Sequence, residues 1–210
     1  LIKTIAQRIG LLRRENKYLS EEIIDIRSKI KTTQRFQNTP VDSTRYRMYS
    51  MVLRQLSPMQ KGIQSLHAVV EYSEKVKTLS ADYRQAYSTW AHRDKTMIIL
   101  DAGTSVDLIN AIYELIRLEV PYAMFYEEDL YGMNTVVCFL ADERVWDTKK
   151  YPSYEQYVDN LNRLFNDGYA VEGTTSIQPT EERWQATTFG TIDPEPIMKL
   201  REFIFSKKLS

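Results

Sequence analysis

The chain has 210 residues with 28 basic and 28 acidic side chains, so it carries no net charge and does not advertise a broad electrostatic grip on a nucleic-acid backbone. A single cysteine, Cys138, and two histidines leave no material for a disulfide framework, a thiolate metal cluster or a multi-histidine site, and neither metal nor cofactor is expected. No apolar run is long enough to cross a bilayer, so a cytoplasmic protein without a membrane partner is expected.

Residues 1–35 carry the clearest periodicity. Ile2, Ile5, Ile9, Leu12, Asn16, Leu19, Ile23, Ile26 and Ile30 follow one another at alternating separations of three and four, the spacing of a coiled-coil seam. The candidate oligomerisation contacts are Ile9, Leu12, Asn16, Leu19, Ile23 and Ile26. Asn16 stands at an a position among β-branched neighbours, where its amide pairs with a second Asn only if two helices run parallel and in register. A parallel homodimer is therefore expected, with further assembly left open. The competing reading is an amphipathic helix laid on the chain's own globular part, which normally needs a wider apolar face.

Residues 36–45, with Asn38, Pro40 and Asp42, read as a linker. A first strand is expected over Tyr46–Leu53. Ser57 followed by Pro58 opens a helix to about Thr78, and a second helix covers Ser80–His92. A strand at Thr96–Leu100 leads through the turn Asp101–Ser105, with Thr104 or Ser105 as cap, into a helix Val106–Leu118 whose Leu108, Ile109, Ile112, Leu115 and Ile116 recur at helical spacing. Strands at Tyr122–Tyr126 and Thr135–Leu140 flank the acidic loop Glu127–Asn134. Helices between strands predict an α/β domain, 46–142, with a four-stranded mixed sheet flanked by helices. The rest, 143–210, reads as a helical C-terminal extension, with helices from Ser153 to Phe165 and from Asp193 to Lys207 around an irregular stretch Gly168–Gly190.

Ser57 to Ala68 reads S-P-M-Q-K-G-I-Q-S-L-H-A and resembles the first-helix motif of type 2 peptidyl-tRNA hydrolases, G-K-G-K-[IL]-A-x-Q-x-x-H-A. The resemblance continues through Trp90, K-T-M-I-I-L, D-A-G-T-S-V-D-L-I-N-A-I-Y-E-L, Y-A-M-F-Y-E-E-D-L and T-V-V-C-F-L-A-D, covering about residues 46–142. The runs E-x-D-L-Y-G and D-E-R-V-W-D look closest to phage-encoded members. The resemblance implies a four-stranded α/β fold and metal-free cleavage of the ester in peptidyl-tRNA. Gln64 and His67 match family residues. The family's active-site lysine falls on Gln60, with Lys61 one step along, a rotation of about 100° around a helix. The family aspartate falls on Glu127, and the threonine-containing loop after it is shortened.

A neutral amide where an ammonium is expected argues for binding without turnover. A nucleotide-type ligand or a tRNA acceptor end is expected at the start of the Pro58 helix, where free N–H groups and the helix dipole favour anions. The candidate ligand-binding residues are Arg54, Gln60, Lys61, Gln64, Asn134 and Thr135 as donors, with Tyr126 or Tyr131 as stacking faces. In a phage, such a protein would sequester a nucleotide signal of host defence from within the bacterial cytosol. If hydrolysis survives, Lys61, His67 and Glu127 are the catalytic candidates; a third alternative is a scaffold acting through the coil and the tyrosines 151, 154 and 157. The full chain should scatter light as a dimer and lose that state on removal of residues 1–35. A monomer mass for the full chain, or a mass per chain number unchanged by the deletion, overturns the coil.

Overall fold

The computed structural model describes residues 44–130, 132–166 and 179–209; the coiled-coil positions Ile9, Leu12, Asn16, Leu19, Ile23 and Ile26 lie outside these residues, as does Tyr131. Strand β1 (Tyr46–Leu53) turns Met48, Ser50 and Val52 to one face and Tyr49, Met51 and Leu53 to the other, and all six are buried. A strand with no wet face belongs inside a sheet covered on both sides. β1 pairs in parallel with β2 (Thr96–Gly103) and antiparallel with β4 (Met133–Asp142). β3 (Tyr122–Glu127) pairs antiparallel with β4, and a two-residue β5 (Lys208–Leu209) pairs antiparallel with β2.

The spatial order is β3-β4-β1-β2-β5, a mixed sheet of five strands among the described residues rather than the four expected. The missed strand, Lys208–Leu209, is too short to show any alternation, and only its meeting with Leu100 and Asp101 makes it a strand.

Helix α1 (Pro58–Val76) and helix α2 (Ala81–Thr89) connect β1 to its parallel neighbour β2, with a π-helical turn Trp90–Asp94 ending the connection. α3 (Ser105–Arg117) then carries the chain back across the sheet to β3. Crossovers of one hand that travel in opposite directions place their helices on opposite faces. Accordingly Ala68, Tyr72 and Val76 of α1 pack with Met48, Val52, Val136 and Cys138 on one face, while Leu108, Ala111 and Leu115 of α3 pack with Tyr49, Met51, Leu53, Val137 and Phe139 on the other.

Beyond β4 come α4 (Glu143–Trp146), α5 (Tyr154–Asn166), α6 (Glu181–Thr188) and α7 (Glu195–Phe205). α6 occupies part of the stretch read as irregular; Thr180 caps it by accepting from the Arg183 N–H, a signal that was present in the sequence. Leu200 and Ile204 of α7 and Val145 of α4 belong to the α3-side core. α4 and α7 therefore share a core with the α/β sheet. No helix among the described residues is long and apolar enough to cross a membrane.

Gly103 ends β2 at φ +84°, a conformation that side chains disfavour, and a Cβ there would lie 2.5 Å from Asp107 Oδ2. Gly103→Ala should lower the unfolding free energy by about 1–3 kcal/mol. The check is urea denaturation, with a lower midpoint at an unchanged slope.

Candidate functional site

β1 and β2 run parallel, and β3, two antiparallel steps from β1, runs the same way. Their carboxyl ends, the start of β4 and the first turns of α1 and α3 therefore meet along one edge of the sheet. The connection after β1 leaves toward one face and that after β2 toward the other, so the two strand ends form a topological switch point, the usual place for a ligand in an open α/β sheet.

Arg54 ties these two strand ends together. Its backbone N–H donates to the Gly103 carbonyl (2.9 Å), and its side-chain Nε donates to Asp101 Oδ2 (2.8 Å). Asp101 Oδ1 accepts from the Gly103 N–H at 2.7 Å. Burial alone would raise the Asp101 carboxyl, but the hydrogen bonds from Arg54 and Gly103, helped by the Arg54 and Lys61 charges, outweigh it and hold the group below the usual carboxylate range. Lys61 thus adds to the field at Asp101, while its ammonium has no hydrogen-bond or ion-pair partner among the described residues.

The helix starts are less open to anions than expected. At α1, Ser57 Oγ accepts from the Gln60 N–H (3.3 Å) and Gln60 Oε1 accepts from the Ser57 N–H (2.9 Å), a reciprocal capping box. Pro58 has no N–H, so among the described residues Met59 alone keeps a first-turn donor without a partner. Gln60, expected to face the ligand, is turned back into its own helix end. α3 begins with a second capping box, in which Asp107 Oδ2 accepts from the N–H and the hydroxyl of Thr104 at 2.8 and 2.7 Å. These bonds hold the Asp107 carboxyl below its ordinary range and put a negative charge where an anion would otherwise be drawn. Of the two expected caps, Thr104 is the one used.

On the α1 face, Gln64 is 5% exposed and both ends of its amide are engaged. Thr135 Oγ1 donates to Gln64 Oε1 (2.7 Å), and Gln64 Nε2 donates to Glu127 Oε2. A β-bulge makes this possible. Phe125 pairs with Val136 and the next residue, Tyr126, with Asn134, so Thr135 is the extra residue of β4. By strict alternation Thr135 would share the α3 face with Val137 and Phe139; the bulge instead puts it on the α1 face beside Val136. Asn134 steadies the bulge, its Oδ1 accepting from the Val136 N–H at 3.3 Å and its Nδ2 lying 3.4 Å from Met124 Sδ.

His67, also on α1, is exposed and lies flat on Phe125, with ring centroids 4.4 Å apart and 15° between the planes. Tyr126 points to the other face, its hydroxyl 3.9 Å from Met124 Sδ, so it does not converge with Gln64 and Glu127. The expected ligand set therefore divides. Gln64, Thr135 and Glu127 form one cluster, Arg54 and Lys61 stand with Asp101, and Gln60, Asn134 and Tyr126 serve other contacts. Asp101 and Phe125 were missed as site residues, because neither a strand-end acid nor a strand phenylalanine carries a spacing signal.

No family model matches the chain, and no curated protein matches it.

Thr135→Val keeps shape while removing the donor to a buried acyl oxygen. It should lower stability by about 1–3 kcal/mol, read from the denaturation midpoint. A null effect would show that Gln64 does not depend on this hydroxyl.

Proposed function

We propose that the switch point at the start of α1 holds a nucleotide-type ligand, a free nucleotide or a tRNA acceptor end, without turning it over. The observation that carries this reading is the partner of Glu127. Its carboxylate receives a neutral amide from Gln64, and no cation lies within ion-pair distance among the described residues. Ester hydrolysis needs a group to move a proton, a positioned water and donors or charge for the oxyanion. Here the candidate cation Lys61 acts on Asp101, and Gln60, at the position matching the family's lysine, is engaged in the helix cap.

Binding needs less. Lys61 and Arg54 supply positive charge for phosphate, and the resemblance to a family that grips the end of tRNA supports a nucleotide as the occupant. A nucleotide kept without turnover is removed from circulation, the form that an antagonist of host nucleotide signalling takes. Hydrolysis is the second reading, favoured by one observation: Glu127 Oε1 has no partner among the described residues and is open to take a proton from water.

Titration calorimetry of the full chain with AMP, ADP-ribose and cyclic dinucleotides should show binding of at least one, weakened roughly ten-fold or more by Lys61→Ala. An N-acetylaminoacyl-tRNA should remain intact at stoichiometric protein. Ester cleavage lost in Glu127→Ala would establish the hydrolase instead, and no binding by any nucleotide would remove the proposal.

A further inference from the structure

We infer that Glu127 accepts the ribose hydroxyls of the ligand, so that the site selects a ribonucleotide with a free cis-2′,3′-diol over its deoxy counterparts. This inference rests on the nucleotide-binding reading and names the part of the nucleotide that Glu127 meets. A carboxylate offers about four acceptor positions on its two oxygens. Gln64 Nε2 occupies one, on Oε2, and among the described residues nothing occupies the others. Glu127 is half-buried at the end of β3, so it is partly withdrawn from water and has acceptor capacity that the protein does not use.

Its position is also fixed. A carboxylate accepts only, so Glu127 draws Nε2 of the Gln64 amide toward itself, and Thr135, whose hydroxyl also lies 3.4 Å from the Phe125 carbonyl, donates to Oε1 at the other end. An acceptor held by a buried amide is preorganised, and preorganised acceptors discriminate strongly against a ligand that lacks the matching donor. The vicinal hydroxyls of a ribose are two neutral donors at about the separation of the two carboxylate oxygens, and a carboxylate in contact with ribose hydroxyls is the way many dinucleotide folds recognise that sugar.

The neighbouring charge fits the same ligand. Lys61 precedes Gln64, the residue that holds Glu127, by three residues on α1, so those two side chains start from one helix face about 5–6 Å apart. The Lys61 ammonium, unpaired among the described residues, is the charge on that face available to a ligand phosphate. None of these contacts reads a base.

The test is calorimetry of the full chain with AMP, 2′-deoxyAMP and 3′-deoxyAMP, repeated on Glu127→Gln. AMP should bind roughly ten-fold or more tightly than either deoxy analogue, as expected for a hydrogen bond to a charged acceptor. That gap should close in Glu127→Gln. Equal affinity for all three in the unaltered protein, or a gap that survives in Glu127→Gln, overturns the role of Glu127 and leaves the nucleotide site standing. Silence with all three, or heat with putrescine in their place, sinks this inference, and the nucleotide reading falls with it only if ADP-ribose and the cyclic dinucleotides are silent too. The comparison of ligands on the unaltered protein decides the matter even if the variant does not fold.

Discussion

Between the Phe125–Val136 and Tyr126–Asn134 pairings, β4 contains one residue more than β3, and the chemistry of the sheet edge follows from where that residue points. A strand alternates its side chains, so an unbulged Thr135 would deliver its hydroxyl to the apolar α3 face. The bulge brings it under α1, against a Gln64 that is almost wholly enclosed. An enclosed amide needs partners at both ends, since leaving one unmade costs about as much as a typical single mutation removes. Thr135 fills one end, and the other end then has to find an acceptor, which is Glu127.

The helix starts place a complementary constraint on any anion. Both α1 and α3 satisfy their own first turns through capping boxes, and at α3 the cap is itself a carboxylate. Positive charge for a ligand must therefore come from side chains, from Lys61 and from an Arg54 already shared with Asp101. The Arg54–Asp101 pair is solvent-facing on the arginine side and adds little to stability. Its structural value is to join the end of β1 to the end of β2, in parallel with the backbone bond from Arg54 to Gly103.

Much of this was legible along the chain. The aromatic- and apolar-rich stretch at β1, the Ser-Pro start of α1, the spacing of Leu108, Leu115 and their neighbours, and the two hairpin strands each express a local rule of composition, period or capping, and each element formed within a few residues of where its rule placed it. The Ser57-x-x-Gln60 spacing of a capping box is present in the sequence too, although Gln60 was read there as a ligand residue. The bulge left no comparable trace: Thr135 to Leu140 is nearly continuous in apolar residues, so nothing in the pattern marks the point where alternation slips. Tyr126, by contrast, keeps the alternation of β3 and shares the face of Tyr122 and Met124, with its hydroxyl 3.9 Å from Met124 Sδ.

Local information in the sequence determined which segments become strands and helices and where most of them start, because hydrophobic period and cap chemistry act over a few neighbouring residues. Tertiary structure alone decided that Gln64 of α1, Glu127 of β3 and Thr135 of β4 share hydrogen bonds, that Arg54 reaches Asp101, and that Lys208–Leu209 completes the sheet. Those contacts join residues 47 to more than 100 positions apart. They depend on strand register and on the face each side chain takes, which are fixed only when the whole sheet buries its two cores at once.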